Sequence, residues 1–218
     1  HIDYFNMHLP YSNMGKKALA YLVRHELRNT PKWKEVIAEV GMEEPVPKDP
    51  RGTIESIIAD SEFMTKDSEF TKRFAKTNTY QEIYENKVAS SLIASKSIGN
   101  LYTASLYLGF RSCLEYEFQK GVNLEGKRFG FASYGSGSSA MVFSGVIKPE
   151  HLSIVKEMNL ETEIGERQKL SLEDYEELHE NKLEPNQSLL SARKEFVLEH
   201  VENISSDKRG ERRYAFIE

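Results

Sequence analysis

Lys127-Arg128-Phe129-Gly130-Phe131-Ala132-Ser133-Tyr134 and Ala140-Met141-Val142-Phe143-Ser144-Gly145-Val146-Ile147 read as two β-strands. Both are rich in aromatic and β-branched residues, and the glycine-serine run between them supplies a turn. The pair is a hairpin with an unusually polar tip, Ser133-Tyr134-Gly135-Ser136-Gly137-Ser138. Upstream, Gly99-Asn100 opens a strongly apolar helix. Leu101, Ser105, Leu108, Ser112 and Glu115 recur at helical spacing, and Leu106, Phe110, Cys113 and Leu114 form the side expected to be buried. The small residues Ala104, Ser105 and Gly109 permit close packing against a neighbouring element.

Further out, Asp3-Tyr4-Phe5-Asn6-Met7-His8 reads as a short strand stopped by Pro10, which has no N–H to offer a ladder. Ser12 or Asn13 is the expected cap of a helix running to about Leu27, with Ala18, Leu19, Leu22 and Val23 on one face. The stretch 29–66 holds four of the seven prolines and many charges, and reads as a surface excursion with short helices. A helix is expected over 67–88. After Pro149 the chain turns acidic and helical to about residue 181, and a second hairpin around Asp207-Lys208-Arg209-Gly210 joins 195–201 to 213–217.

Composition narrows the function classes. The chain has 218 residues, 39% hydrophobic and 29% charged, which suits one soluble globular domain over 1–218. Acidic residues outnumber basic ones by 34 to 29, for a formal charge of -5, so the electrostatic footprint of phosphate-backbone binding is missing and nucleic acid is not an expected partner. No apolar run approaches the roughly 20 residues needed to span a bilayer, so no membrane is expected either. A single cysteine, Cys113, rules out an internal disulfide and a cysteine-rich metal site, and fits a cytoplasmic protein. The start at His1 without methionine suggests a fragment, a processed chain or a cloning boundary.

Several residues are able to carry chemistry. His8, at a strand end before Pro10, is either a structural histidine or one that presents a ring nitrogen to a carbonyl. Lys16-Lys17 is either a solvated helix face or a phosphate contact. Asn100 at a helix start reads as an N-cap, and the glycine turn at 135–138 as a turn whose N–H groups a ligand oxygen can approach. Cys113, in mid-helix on an apolar face, reads as a small buried hydrophobe.

Taken together, His8-Leu9-Pro10-Tyr11 with Lys16-Lys17, Gly99-Asn100-Leu101-Tyr102-Thr103-Ala104-Ser105, and Gly126-Lys127-Arg128 followed by Ser133-Tyr134-Gly135-Ser136-Gly137 resemble the C-terminal half of 3-hydroxy-3-methylglutaryl-CoA (HMG-CoA) synthase, of the thiolase superfamily. The resemblance implies a thiolase-like α/β fold, one half of an αβαβα layered architecture with a mixed sheet flanked by helices, in which 29–66 is a surface insertion. It implies an acyltransferase of the mevalonate pathway that condenses acetyl-CoA with acetoacetyl-CoA, both substrates, with no resident cofactor. His8 would polarise the acceptor ketone, Asn100 would bond an acyl carbonyl, Ser136 would contact the acyl intermediate, Tyr134 would line the pocket, and Lys17 would meet the phosphates of coenzyme A. Asn13 stands where a first lysine often stands.

In that family the acylated cysteine and the glutamate base belong to the N-terminal half, which implies that half as a partner and a homodimeric complete enzyme. The resemblance extends to the polyketide β-branching synthases, whose donor is a carrier protein. The missing nucleophile leaves a third reading, a non-catalytic docking subunit.

Overall fold

The computed structural model describes residues 1–135, 139–167, 169–180, 195–202 and 207–217. They fall into two compact units, His1–Glu166 and Arg167–Glu218, where the sequence reading drew one domain.

The first unit runs β1 (Tyr4–Met7), α1 (Ser12–Leu27), α2 (Trp33–Val40), α3 (Ile54–Ala59), α4 (Ser61–Phe74), α5 (Asn78–Lys87), α6 (Ala89–Ile98), α7 (Ala104–Gln119), β2 (Arg128–Gly135), β3 (Ser139–Val146), α8 (His151–Val155) and α9 (Leu160–Gly165). Its sheet has the order β1-β2-β3. β1 pairs parallel with β2 in the register Tyr4↔Phe129 to Met7↔Ala132, and β2 pairs antiparallel with β3. A parallel neighbour requires a crossover, and here it is the whole helical stretch α1–α7.

Alternation along β1 sends successive side chains to opposite faces. Tyr4 joins a core of Leu106, Cys113, Leu114, Leu124, Phe129, Phe131 and Val155, to which α7 contributes most. Phe5 and Met7 pack against a second core built by α1, α2, α4, α5 and α6 around Leu19, Val36, Phe70, Phe74, Tyr80 and Leu92. Helices therefore cover β1 on both faces. α6 and α7 lie against each other, and a Cβ built on Gly109 would stand 3.2 Å from the carbonyl oxygen of Ser91. The close packing expected at Gly109 is thus present.

Several expectations are corrected. α1 has Tyr11 at its N-cap with no side-chain cap, and Ser12 is its first helical residue. Its buried line is Gly15, Leu19, Ala20, Val23 and Arg24, while Ala18 and Leu22 are exposed. The rotation follows from Gly15, where an added Cβ would meet Leu92 at 3.0 Å and Leu9 at 3.1 Å. The helix expected over 67–88 is broken, because Thr77 accepts the Tyr80 N–H and starts α5 afresh. Within 29–66, the short helices are present, but Val36 and Val40 are core residues and Trp33 packs on Phe70 and Phe74. Arg24, buried on α1, ties that stretch down by pairing with Glu44 at 2.6 Å and with Asp67 of α4 at 2.7 Å. The acidic stretch after Pro149 is helical as expected, in three short helices among the described residues.

The second unit holds the last of these, α10 (Leu172–His179), capped by Ser171 accepting the Asp174 N–H. It also holds β4 (Glu195–Val201) and β5 (Arg212–Ile217), the antiparallel hairpin expected from sequence, with an irregularity between Leu198 and His200.

Candidate functional site

His8 is held by its main chain on two sides. Its own N–H continues the β1–β2 ladder by donating to Ala132 O at 2.8 Å. The next N–H, of Leu9, donates to the Ser105 hydroxyl of α7 at 2.9 Å. Pro10 then ends the strand-like run, as its missing donor dictates. The imidazole is half-buried, and its Nδ1 is buried without a partner among the described residues. The ring of Tyr134, on β2, meets it edge-on at 6.1 Å between centroids, with the tyrosine itself largely exposed. The first and third sequence segments therefore converge on His8 through the pairing of β1 with β2.

Asn100 does not cap α7, which begins only at Ala104. Gly99 has φ +86° and Tyr102 φ +49°, so the chain takes a left-handed loop between α6 and α7. Within it, the Asn100 Oδ1 accepts the Tyr102 N–H at 2.8 Å. That bond fixes which end of the amide is which: the carbonyl oxygen serves the turn, and the NH₂ is the donor end of an exposed side chain. Asn100 is thus built as a hydrogen-bond donor. The loop is joined to His8 through Ser105, whose N–H donates to Tyr102 O at 3.1 Å.

The two lysines of α1 divide. Lys16 lies over the ring of Tyr84, with Nζ 4.6 Å from the centroid, and so takes part in packing. Lys17 is exposed and donates to the Tyr11 hydroxyl at 3.2 Å. Ser136 lies outside the described residues, and its neighbours Gly135 and Ser139 pair across the hairpin.

Cys113 is 1% exposed. Burial, with Glu117 nearby, pushes its thiol well above the ordinary range, which is the reverse of an activated nucleophile. Glu117 sits in a satisfied polar cluster, accepting from Tyr4 at 3.3 Å, from Lys120 at 2.9 Å and from the Ser90 hydroxyl. No group of three or more His, Cys, Asp or Glu among the described residues could hold a metal ion. No helix among the described residues is long and apolar enough to cross a membrane.

Sequence reasoning missed two residues behind His8. Asn6 is buried, with both amide atoms unpartnered among the described residues, and nothing in its sequence context marks it. Ser105 was visible as a small packing residue and as the end of the Gly99–Ser105 segment, but its bond to Leu9, 96 positions away, was not.

Residues 1–197 match the family described as hydroxymethylglutaryl-coenzyme A synthase C terminal. The hydroxymethylglutaryl-CoA synthase of Saccharomyces cerevisiae is 31% identical over 185 residues, which are 83% of this chain and 34% of the yeast protein. Among solved structures, MvaS in complex with 3-hydroxy-3-methylglutaryl coenzyme A aligns with a TM-score of 0.62 at 25% identity, over 100% of this chain and 42% of that one. The HMG synthase of the curacin biosynthetic pathway aligns with a TM-score of 0.61 at 20% identity, over 99% of this chain and 44% of that one, which speaks for the fold. The chain spans between about a third and two fifths of the length of the first curated relatives it matches. The expected fold is borne out: an α/β, thiolase-like arrangement with a mixed sheet flanked by helices.

Proposed function

The chain belongs to the hydroxymethylglutaryl-CoA synthase C-terminal family, and from that premise we infer that it carries the acceptor side of an acetyl-CoA plus acetoacetyl-CoA condensation. The observation that supports this most is His8, fixed by Ala132 O on one side and by the Leu9–Ser105 bond on the other, with an imidazole edge turned to an exposed tyrosine.

In this reading the donor acetyl group is carried as a thioester on a cysteine of the N-terminal half, and a glutamate there removes a proton from its methyl carbon. The resulting enolate carbon attacks the ketone carbon of acetoacetyl-CoA. A carbon–carbon bond forms, the ketone π electrons move to oxygen, and that oxygen is protonated through His8 to become the product's hydroxyl, while the proton taken by the glutamate restores the balance. That step needs a hydrogen-bond donor at the ketone oxygen, which His8 provides. The NH₂ of Asn100 and the hydroxyl of Ser136 position acyl oxygens, Tyr134 lines the acceptor pocket, and Lys17 meets the phosphates of coenzyme A. Water then cleaves the cysteine thioester and frees the product with its new carboxylate. Both thioesters are substrates, and the reaction is assigned to the cytoplasmic mevalonate pathway.

The same reading requires the N-terminal half as partner and a homodimer of the complete enzyme. β3 supports the requirement. Every residue of it is exposed, with Met141 and Val142 at 64% and 81%. An apolar strand open on both faces and along one edge is a surface made for pairing.

Native mass spectrometry of the chain from its source, with a condensation assay on each species, tests the assignment. A complex with a cysteine-bearing partner or segment that releases free coenzyme A is the expected result. An active lone 25.1 kDa chain would overturn it, as would an intact complex that accepts only an acetylated carrier protein as donor.

A further inference from the structure

We propose that Ser105 is the positioning residue for His8, setting the distance between the imidazole and the Asn100 loop. The inference rests on the reading above, in which His8 polarises the acceptor ketone.

Leu9 contributes the first N–H after His8, and Pro10 contributes none, so the Leu9 N–H is the main-chain donor of residues 9 and 10. That N–H is buried and donates to the Ser105 Oγ at 2.9 Å. Ser105 is itself 1% exposed and anchored by its N–H to Tyr102 O at 3.1 Å, the carbonyl of the residue held at φ +49°. Tyr102 in turn gives its N–H to Asn100 Oδ1 at 2.8 Å. Three consecutive hydrogen bonds, Leu9 to Ser105, Ser105 to Tyr102 and Tyr102 to Asn100, therefore connect the two candidate groups.

Helix packing alone does not need the hydroxyl. Four residues on, Gly109 faces the same neighbourhood, with a built Cβ 3.7 Å from Asn6 Oδ1, and makes its close approach with no side chain at all. A serine at 105 instead supplies an acceptor that neither glycine nor alanine offers. Without it, the Leu9 N–H loses its partner and the end of β1 is free to move against α7. Misplacement of a reacting group by about 1 Å costs on the order of 10²-fold in rate.

The test uses the complete enzyme and separates two half-reactions. Acetyl transfer from acetyl-CoA to the enzyme uses groups of the N-terminal half, whereas condensation with acetoacetyl-CoA uses His8. Ser105→Ala is expected to lower condensation by about 10- to 100-fold while acetyl transfer is unchanged, and Ser105→Thr, which restores the hydroxyl, is expected to recover most of the loss. If Ser105→Ala does not fold, Ser105→Cys takes its place, since a thiol fills the same site but accepts hydrogen bonds weakly. Normal condensation in Ser105→Ala overturns the proposal, as does an equal fall in both half-reactions or a failure of Ser105→Thr to rescue. His8→Ala is measured alongside: if it impairs condensation while Ser105→Ala does not, the positioning role alone fails. If His8→Ala condenses normally, the underlying assignment fails with it.

Discussion

The ring of Tyr134 meets the ring of His8 edge-on, 6.1 Å between centroids and 64° between planes. The contact exists because β1 and β2 pair in parallel at Met7↔Ala132, which brings residues 125 positions apart to the same end of the sheet. An aromatic pair of this geometry contributes about 0.5–1.5 kcal/mol beyond the area it buries. Tyr134→Phe keeps the ring and is expected to leave condensation kinetics near wild type. Tyr134→Ala removes the lateral support and is expected to lower kcat/KM for acetoacetyl-CoA by roughly 2- to 10-fold, read by steady-state assay of the complete enzyme.

Arg24 is the buried centre of an ionic cluster. It pairs with Glu44 and Asp67, donates to Thr71 at 3.1 Å, and lies 4.5 Å over the ring of Phe70. Removing it leaves the largely buried Asp67 carboxylate without its counter-charge, while Glu44 keeps its pair with Arg28. Arg24→Ala is expected to cost about 3–5 kcal/mol of unfolding free energy, measured by denaturant titration.

The interior opposes high pH. Burial raises the hydroxyls of Tyr4, Tyr80 and Tyr84 above their ordinary value of 10.0, with Glu117 adding to the effect at Tyr4, and raises Cys113 above its ordinary 9.0. Above those values the unfolded chain releases protons that the folded chain keeps, so the unfolded state binds fewer and stability falls as pH rises. Below about pH 9 the contribution is fully present, and it is lost progressively above. Thermal unfolding scans from pH 8 to 11 are expected to show a falling midpoint, and Tyr4→Phe is expected to flatten that slope.

Cys113 is a packing residue in this account. It is expected to resist thiol-modifying reagents in the folded protein and to react once denaturant is added. Cys113→Ala is expected to retain condensation activity and to cost about 1 kcal/mol of stability, on the scale of a small core deletion.

How much of this was legible in the sequence depended on how local each signal was. The two hairpins were readable because alternation and turn residues lie within a dozen positions, and β1 because Pro10 marks its end. α6 went unread: Ser90, Ser91 and Ser95 are buried in it, so a core helix looks polar on paper. The start of α7 was misplaced by three residues because Asn100 looks like a cap, whereas its side chain closes a tight turn onto Tyr102 and Thr103 is the cap position. The surface reading of 29–66 failed at Val36 and Val40, whose partners lie on helices far along the chain. At the site, His8 and Tyr134 were identified by resemblance and are brought together. The Ser105 bond could not be read, since hydrogen bonds across 96 residues leave no periodic trace.

In the proposed reading, His8 serves the acceptor ketone and takes no part in loading the donor. The most direct measurement is single-turnover kinetics of the complete enzyme carrying His8→Ala, following first the acetylation of the enzyme by acetyl-CoA and then the consumption of acetoacetyl-CoA. Acetylation at the wild-type rate is expected, with condensation slowed by roughly 10²- to 10⁴-fold, the range for a lost general acid. Condensation at the wild-type rate, or an equal loss in both steps, would contradict it.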